Sequence, residues 1–149
     1  MTSGCINWVR QNILIHIQLF LPDSIIYSAH QDDHVGEIEM DIEEFRQWAD
    51  SDSNVYTNNL SAVRWRLEDG ERQVELGSWA YRPEGIFSQF QYHLVPIENK
   101  GGNVELYCHR EHNPLRHPVE HLKGENFWGP EGVEFANSLG FAPRTPSGS

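Results

Sequence analysis

Cysteine is nearly absent: Cys5 and Cys108 are the only two in 149 residues. No Cys-x-x-Cys pair exists, so a zinc ribbon is excluded, and the pair reads as two reduced, partly buried thiols. Long apolar runs are missing too. Residues 13–21 form the longest candidate, and His16 and Gln18 interrupt it well short of the ~18 residues a spanning helix needs. The first twelve residues carry only Arg10 as a basic group, with no small-residue cleavage pattern after them. These absences point to a cytoplasmic chain with no membrane partner. Lysine is scarce, at two against nine arginines, and the net charge is −11. Such a surface repels a phosphate backbone, which argues against broad DNA binding. Low lysine with excess acid also fits a halophile's protein, kept soluble where salt screens its charge. There is no phosphate-cradling glycine loop, no Gly-x-Ser-x-Gly elbow and no internal repeat.

What is present suits one domain. A chain this long buries about 70% of its unfolded surface, and five Trp, five Tyr and seven Phe can anchor a core. We expect a single α+β domain over residues 1–141 and a disordered Pro/Ser/Gly tail over 142–149. Residues 12–21 alternate with β-branched positions and predict a strand. Residues 25–29 predict a short returning strand, and His30-Gln31-Asp32-Asp33-His34 an acidic loop. Asp41, with Glu44 three residues on, is a capping-box start. Ile42, Phe45, Trp48 and Ala49 then form one stripe of a helix over 42–49. Residues 50–59 are rich in Asp, Ser and Asn and predict a loop.

Residues 62–68 and 72–76 alternate around Asp69-Gly70, a strong two-residue hairpin signal. Gly77 breaks the alternation before Trp79 and Tyr81. Residues 86–95 and 103–109 predict the next hairpin. In the expected register Phe90, Tyr92 and Leu94 face the core with Cys108, Leu106 and Val104. On the other face Gln89 meets His109, Gln91 meets Tyr107 and His93 meets Glu105. Pro118 can only open a helix, not lie within one. Pro130 opens the last helix, which Gly140 ends and Phe141 follows. The architecture is an antiparallel sheet of about five or six strands, with one early helix and one C-terminal helix on one face.

Chemistry concentrates between Cys108 and His121, which hold four of the eight histidines. One reading is metal. His117-Pro118-Val119-Glu120-His121 resembles the bare His-x-x-Glu-His pattern of the inverzincin peptidases. That resemblance implies zinc on His117 and His121; a metal site of another kind would draw on His109, His112, His117 or His121, with His112 joining the pair as the candidate ligand set. The second reading is acid–base chemistry on a solvent-facing polar sheet face, through His93, Glu105, Tyr107 and His109. Arg110 and Arg116 would clamp a phosphate, and His117 is the alternative acid–base group. This set resembles the barnase-like and RelE-type ribonucleases in architecture and residue type, and the resemblance implies RNA cleavage without a metal. The third reading is a binding protein using the same surface and no cofactor, with a protein partner at the aromatics Trp79, Tyr81, Phe127 and Trp128. The sequence favours this third reading.

Overall fold

The computed structural model describes residues 31–58, 63–123 and 127–141, together with Cys5, Trp8, Val9, Asn12, Ile13, Tyr27 and Ser28. A two-residue strand, β1 (Tyr27–Ser28), is followed by a 3-10 turn (Gln31–Asp33) and β2 (His34–Glu37). Helix α1 (Ile42–Ser51), β3 (Val55–Thr57), β4 (Arg64–Glu68), β5 (Glu71–Val74) and β6 (Trp79–Tyr81) come next. The long strands β7 (Phe90–Glu98) and β8 (Val104–His112) precede α2 (Pro118–Leu122) and α3 (Gly129–Ser138). Five strands form one antiparallel sheet in the order β2-β8-β7-β6-β3, and a smaller sheet runs β1-β4-β5. No helix among the described residues is long and apolar enough to cross a membrane.

Local chemistry accounts for the helices. Asp41 accepts from the Glu44 amide at 2.9 Å while Glu44 accepts from the Asp41 amide at 2.9 Å, so two otherwise orphaned donors are satisfied reciprocally. Phe45 and Ala49 then bury one face of α1 against Trp79 and Phe141. Pro118 opens α2 and Pro130 lies in the first turn of α3. Phe141 folds back to bond the Ala136 carbonyl and enters the core.

The Asp69-Gly70 turn has φ of 51° and 80°, the positive pair that a type I′ hairpin needs. Gly77 marks the crossing from the small sheet, which ends at β5, to the large one, which resumes at β6.

Two expectations change. Residues 30–34 and 50–59 are not wholly loop, because His34–Glu37 and Val55–Thr57 form the two edges of the large sheet. Such short pieces carry little alternation, and pairing partners rather than propensity make them strands. The register of the main hairpin also differs. His93 pairs with His109, Gln91 with Glu111 and Leu94 with Cys108. Parity is as expected, so each side chain keeps its face, but every partner is displaced by four residues. Alternation fixes parity but not register. The sequence reading ends the strand before Pro96, whereas β7 runs through it to Glu98. The Pro96 carbonyl accepts from the Leu76 amide at 2.8 Å. Its missing donor therefore points the same way, beyond the end of β6 and away from β8, where no ladder bond is lost. The expected strand at 12–21 lies outside the described residues apart from Asn12 and Ile13, which are in a π-helical turn. The expected tail at 142–149 also lies outside them.

The main core lies on the face of β7–β8 that carries Leu94, Val104, Leu106 and Cys108, covered by α1 and α3. Helix α3 sits so close that a Cβ on Gly132 would overlap the Cys108 carbonyl and the His109 Cα. Gly132→Ala is therefore expected to cost about 1–3 kcal/mol, the usual penalty of overpacking. Urea unfolding measures this, and an unchanged midpoint would mean that α3 can lift away freely.

Candidate functional site

The second face of β7–β8 carries Gln91, His93, Val95 and Ile97 against Glu111, His109, Tyr107 and Glu105. The sequence reading leaves this face open to solvent. Instead it is covered: Gln91, His93, His109 and Glu111 are each at most 3% exposed. The β4–β5 ribbon covers its Glu105–Tyr107 end through Arg66, and Asp33, Phe127, Ser78, Arg82 and His121 close over the rest. Period-two patterning shows which residues share a face but not what lies over that face.

Strand geometry assembles the buried group. His109 and Glu111 are two apart on β8, hence on one face. The hairpin register sets His93 opposite His109 and Gln91 opposite Glu111. The 3-10 turn before β2 brings Asp33 to the remaining side of His109. His109 Nε2 lies 3.1 Å from Glu111 Oε2, and its Nδ1 lies 3.5 Å from Asp33 Oδ2. Gln91 donates through Nε2 to Glu111 Oε1 at 2.6 Å, and Arg82 Nε donates to Gln91 Oε1 at 3.0 Å. Ser78 Oγ shares a hydrogen bond with His93 Nε2. The His93 and His109 rings are 5.0 Å apart, edge to face.

The electrostatics follow from that wiring. Burial disfavours charge on His109, but hydrogen bonds to Asp33 and Glu111 outweigh it and hold the imidazole above its ordinary value. Burial likewise pushes the Glu111 carboxyl up. The His109 hydrogen bond and the nearby His93, His109 and His121 rings prevail and hold it far below the usual carboxylate range. Burial, with the charges of Asp33 and Glu111, pushes the Cys108 thiol up, so that sulfur is a poor nucleophile. His109 also lines a cleft of about 440 Å³ together with Asp32, Asp33, Arg64, Phe127 and Trp128.

The other sequence-derived candidates scatter. Glu105 and Tyr107 share the face but sit under the ribbon, where His34 Nε2 is 2.9 Å from Glu105 and Arg66 also pairs with Glu68. Burial raises the Tyr107 phenol above its ordinary value. Arg110 lies against Phe90 and Trp128. His112 packs on Phe90 and on His117, with ring centroids 5.0 and 5.1 Å apart. Arg116 donates to the Phe87 carbonyl at 3.2 Å. His121 Nδ1 is 2.9 Å from the His112 carbonyl and 3.8 Å from Glu111 Oε2.

His112, His117 and His121 therefore do not converge as ligands. Among the described residues, the group that does is His93, His109 and Glu111, whose ligand atoms all lie within 4.8 Å of one another. Of the aromatics, Trp79 is core, while Tyr81, Phe127 and Trp128 are half-buried. Glu111, Asp33, Gln91, Ser78 and Arg82 are absent from the sequence-derived candidates, although Gln91 is placed on the polar face and Asp33 in the acidic loop. Glu111 was within reach of sequence reasoning, two residues from His109, whereas the others needed the register and the cross-sheet packing. No family model matches the chain, and no curated protein or solved structure matches it.

Proposed function

We propose that this chain is a metal-binding protein whose centre is His93, His109 and Glu111. The observation that carries this reading is the convergence of two imidazoles and one carboxylate, all buried, with an outer partner on each. Asp33 sits at Nδ1 of His109, Ser78 at one ring nitrogen of His93, and Gln91, steered by Arg82, at one oxygen of Glu111. Metal-ligating side chains are characteristically oriented in this way by carboxylates, hydroxyls and amides behind them. His109 Nε2 and Glu111 Oε2, 3.1 Å apart, already have nearly the spacing of two ligands on one zinc ion, roughly 3.3 Å at metal–ligand bonds of about 2.0–2.2 Å. The third ligand closes by a shift of at most roughly 1.5 Å.

Two histidines and one glutamate suit zinc, cobalt or ferrous iron. Three protein ligands also leave a coordination position open, and here His109 borders the cleft. An ion at such a position polarises a carbonyl or phosphoryl oxygen or activates water. The side chains would supply the dry surroundings and the orientation. Binding displaces the proton shared by His109 and Glu111, so affinity is expected to fall as the pH falls.

The test is titration of chelator-treated protein with Zn²⁺ by calorimetry, and with Co²⁺ by visible absorption. One equivalent is expected to bind. Binding should be lost in His93→Ala and in Glu111→Gln, with folding checked by circular dichroism, and kept in His117→Ala. Failure of the folded wild type to take up either ion would sink the proposal. His109–Glu111 would then be a buried ion pair, and the metal-independent acid–base reading would have to rest on that pair rather than on Glu105.

A further inference from the structure

The opposite face of the β7–β8 hairpin holds a second pocket, of about 260 Å³, and Arg110 lines it. The Arg110 guanidinium is wedged between two rings, 4.8 Å from the Phe90 centroid and 4.2 Å from that of Trp128. Its Nε is buried without a hydrogen-bond partner. No carboxylate pairs with it among the described residues, although Arg46, Arg66 and Lys100 each have one. Arg72, Arg82 and Arg116 have no paired carboxylate among the described residues either, but they rest on Trp65, on Gln91 and on the Phe87 carbonyl, whereas Arg110 lines a pocket with no hydrogen-bond partner at its Nε.

We propose that this pocket binds the carboxylate of a small zwitterion, an α-amino acid with an apolar side chain. Stacking against aromatic faces leaves the in-plane terminal edge of the guanidinium, Nη1 and Nη2, free to meet a carboxylate in a two-pronged hydrogen bond, with the buried Nε behind it. Packing also holds the group in place, so little side-chain freedom is lost on binding. Tyr92 is its direct cross-strand neighbour, and the Tyr92 ring is stacked on Phe135 at 3.7 Å and 9°. Tyr92 and Gln89 add polar edges to the pocket, and Pro83 and Phe90 supply apolar wall. Glu84 also lines it and is exposed. A carboxylate there, on a chain of net charge −11, repels a dianion such as phosphate but attracts an ammonium group. A ligand carrying both charges meets both residues. The pocket is too small for a drug-sized molecule, for which roughly 300–1,000 Å³ is usual.

The experiment is an NMR titration of the whole chain with L-leucine, leucinamide and 4-methylpentanoate, followed at the Arg110 Nε–H resonance. That resonance is assigned by its loss in Arg110→Gln. Leucine is expected to bind about tenfold or more tightly than either analogue, the effect of losing one charge-assisted hydrogen bond. Arg110→Gln should abolish the difference between leucine and leucinamide. Glu84→Gln, a surface change that spares the fold, should reduce leucine to the level of 4-methylpentanoate. Equal binding of leucinamide, or a stronger response to inorganic phosphate, overturns the site. Equal binding of 4-methylpentanoate overturns the zwitterion. This pocket is independent of the metal centre, so Glu111→Gln, which removes the metal, should leave leucine binding intact.

Discussion

Replacing Glu111 by alanine is expected to destabilise the metal-free protein by about 3–5 kcal/mol, the usual result of removing one member of a buried ion pair. The carboxylate is 2% exposed, so it is fully desolvated. Its loss strands the His109 imidazolium on one side and the Gln91 amide on the other, with Arg82 behind Gln91. Each becomes a buried group without its partner, and that is where the cost arises rather than in the lost attraction itself. The companion variant His109→Leu/Glu111→Met removes both charges and keeps the volume. It is expected to cost less than Glu111→Ala alone, a strong departure from additivity. Urea unfolding followed by tryptophan fluorescence measures both. If the double variant lost as much stability as His109→Leu and Glu111→Met lose separately and added together, His109 and Glu111 would not be acting as a unit.

Stability of the metal-free protein should peak on the acid side of neutrality and fall in both directions. His109 is raised above its ordinary value of 6.5 in the folded state. Its contribution is therefore complete below 6.5 and is lost as the pH rises through the folded value. Glu111 is depressed below its ordinary value of 4.5. Its contribution is complete above 4.5 and is lost as the pH falls through the folded value. The window in which both act lies between 4.5 and 6.5. Repulsion within a chain of net charge −11 steepens the alkaline decline. Unfolding free energies of wild type and His109→Gln, measured from within this window up through the folded value of His109, should converge as the pH rises above 6.5. Parallel curves would show that His109 does not titrate with folding.

Much of the fold was legible because local rules decide it. The Asp41–Glu44 box, the Asp69-Gly70 turn and the Phe141 return after α3 each depend on a handful of neighbouring atoms. The parity of β7 and β8 was equally local, since Leu94, Leu106 and Cys108 cannot face water while His93 and Glu111 take the core. The candidate site was legible only in part. His93 and His109 were singled out, but Glu105 was chosen as their partner through a register displaced by four residues. Alternation fixes parity but not register, and a strand ended at Val95 instead of Glu98 leaves the pairing near the turn, Ile97 with Glu105 and Glu98 with Val104, out of account. The edge strands His34–Glu37 and Val55–Thr57 were missed for a related reason: the sheet beside them supplies most of what makes them strands.

The sequence by itself therefore determined composition, charge, helix starts, the tight turns and the face on which each strand residue lies. All of these depend on chain neighbours or on a period of two or 3.6 residues. Tertiary structure alone decided that the polar face is covered, by the second sheet at Glu105 and Tyr107 and by Phe127 at His109, that Asp33 reaches His109 from a distant turn, and that Arg110 meets no acid among the described residues. Those outcomes depend on which surfaces end up against each other, and the pairing of surfaces is a property of the whole folded chain.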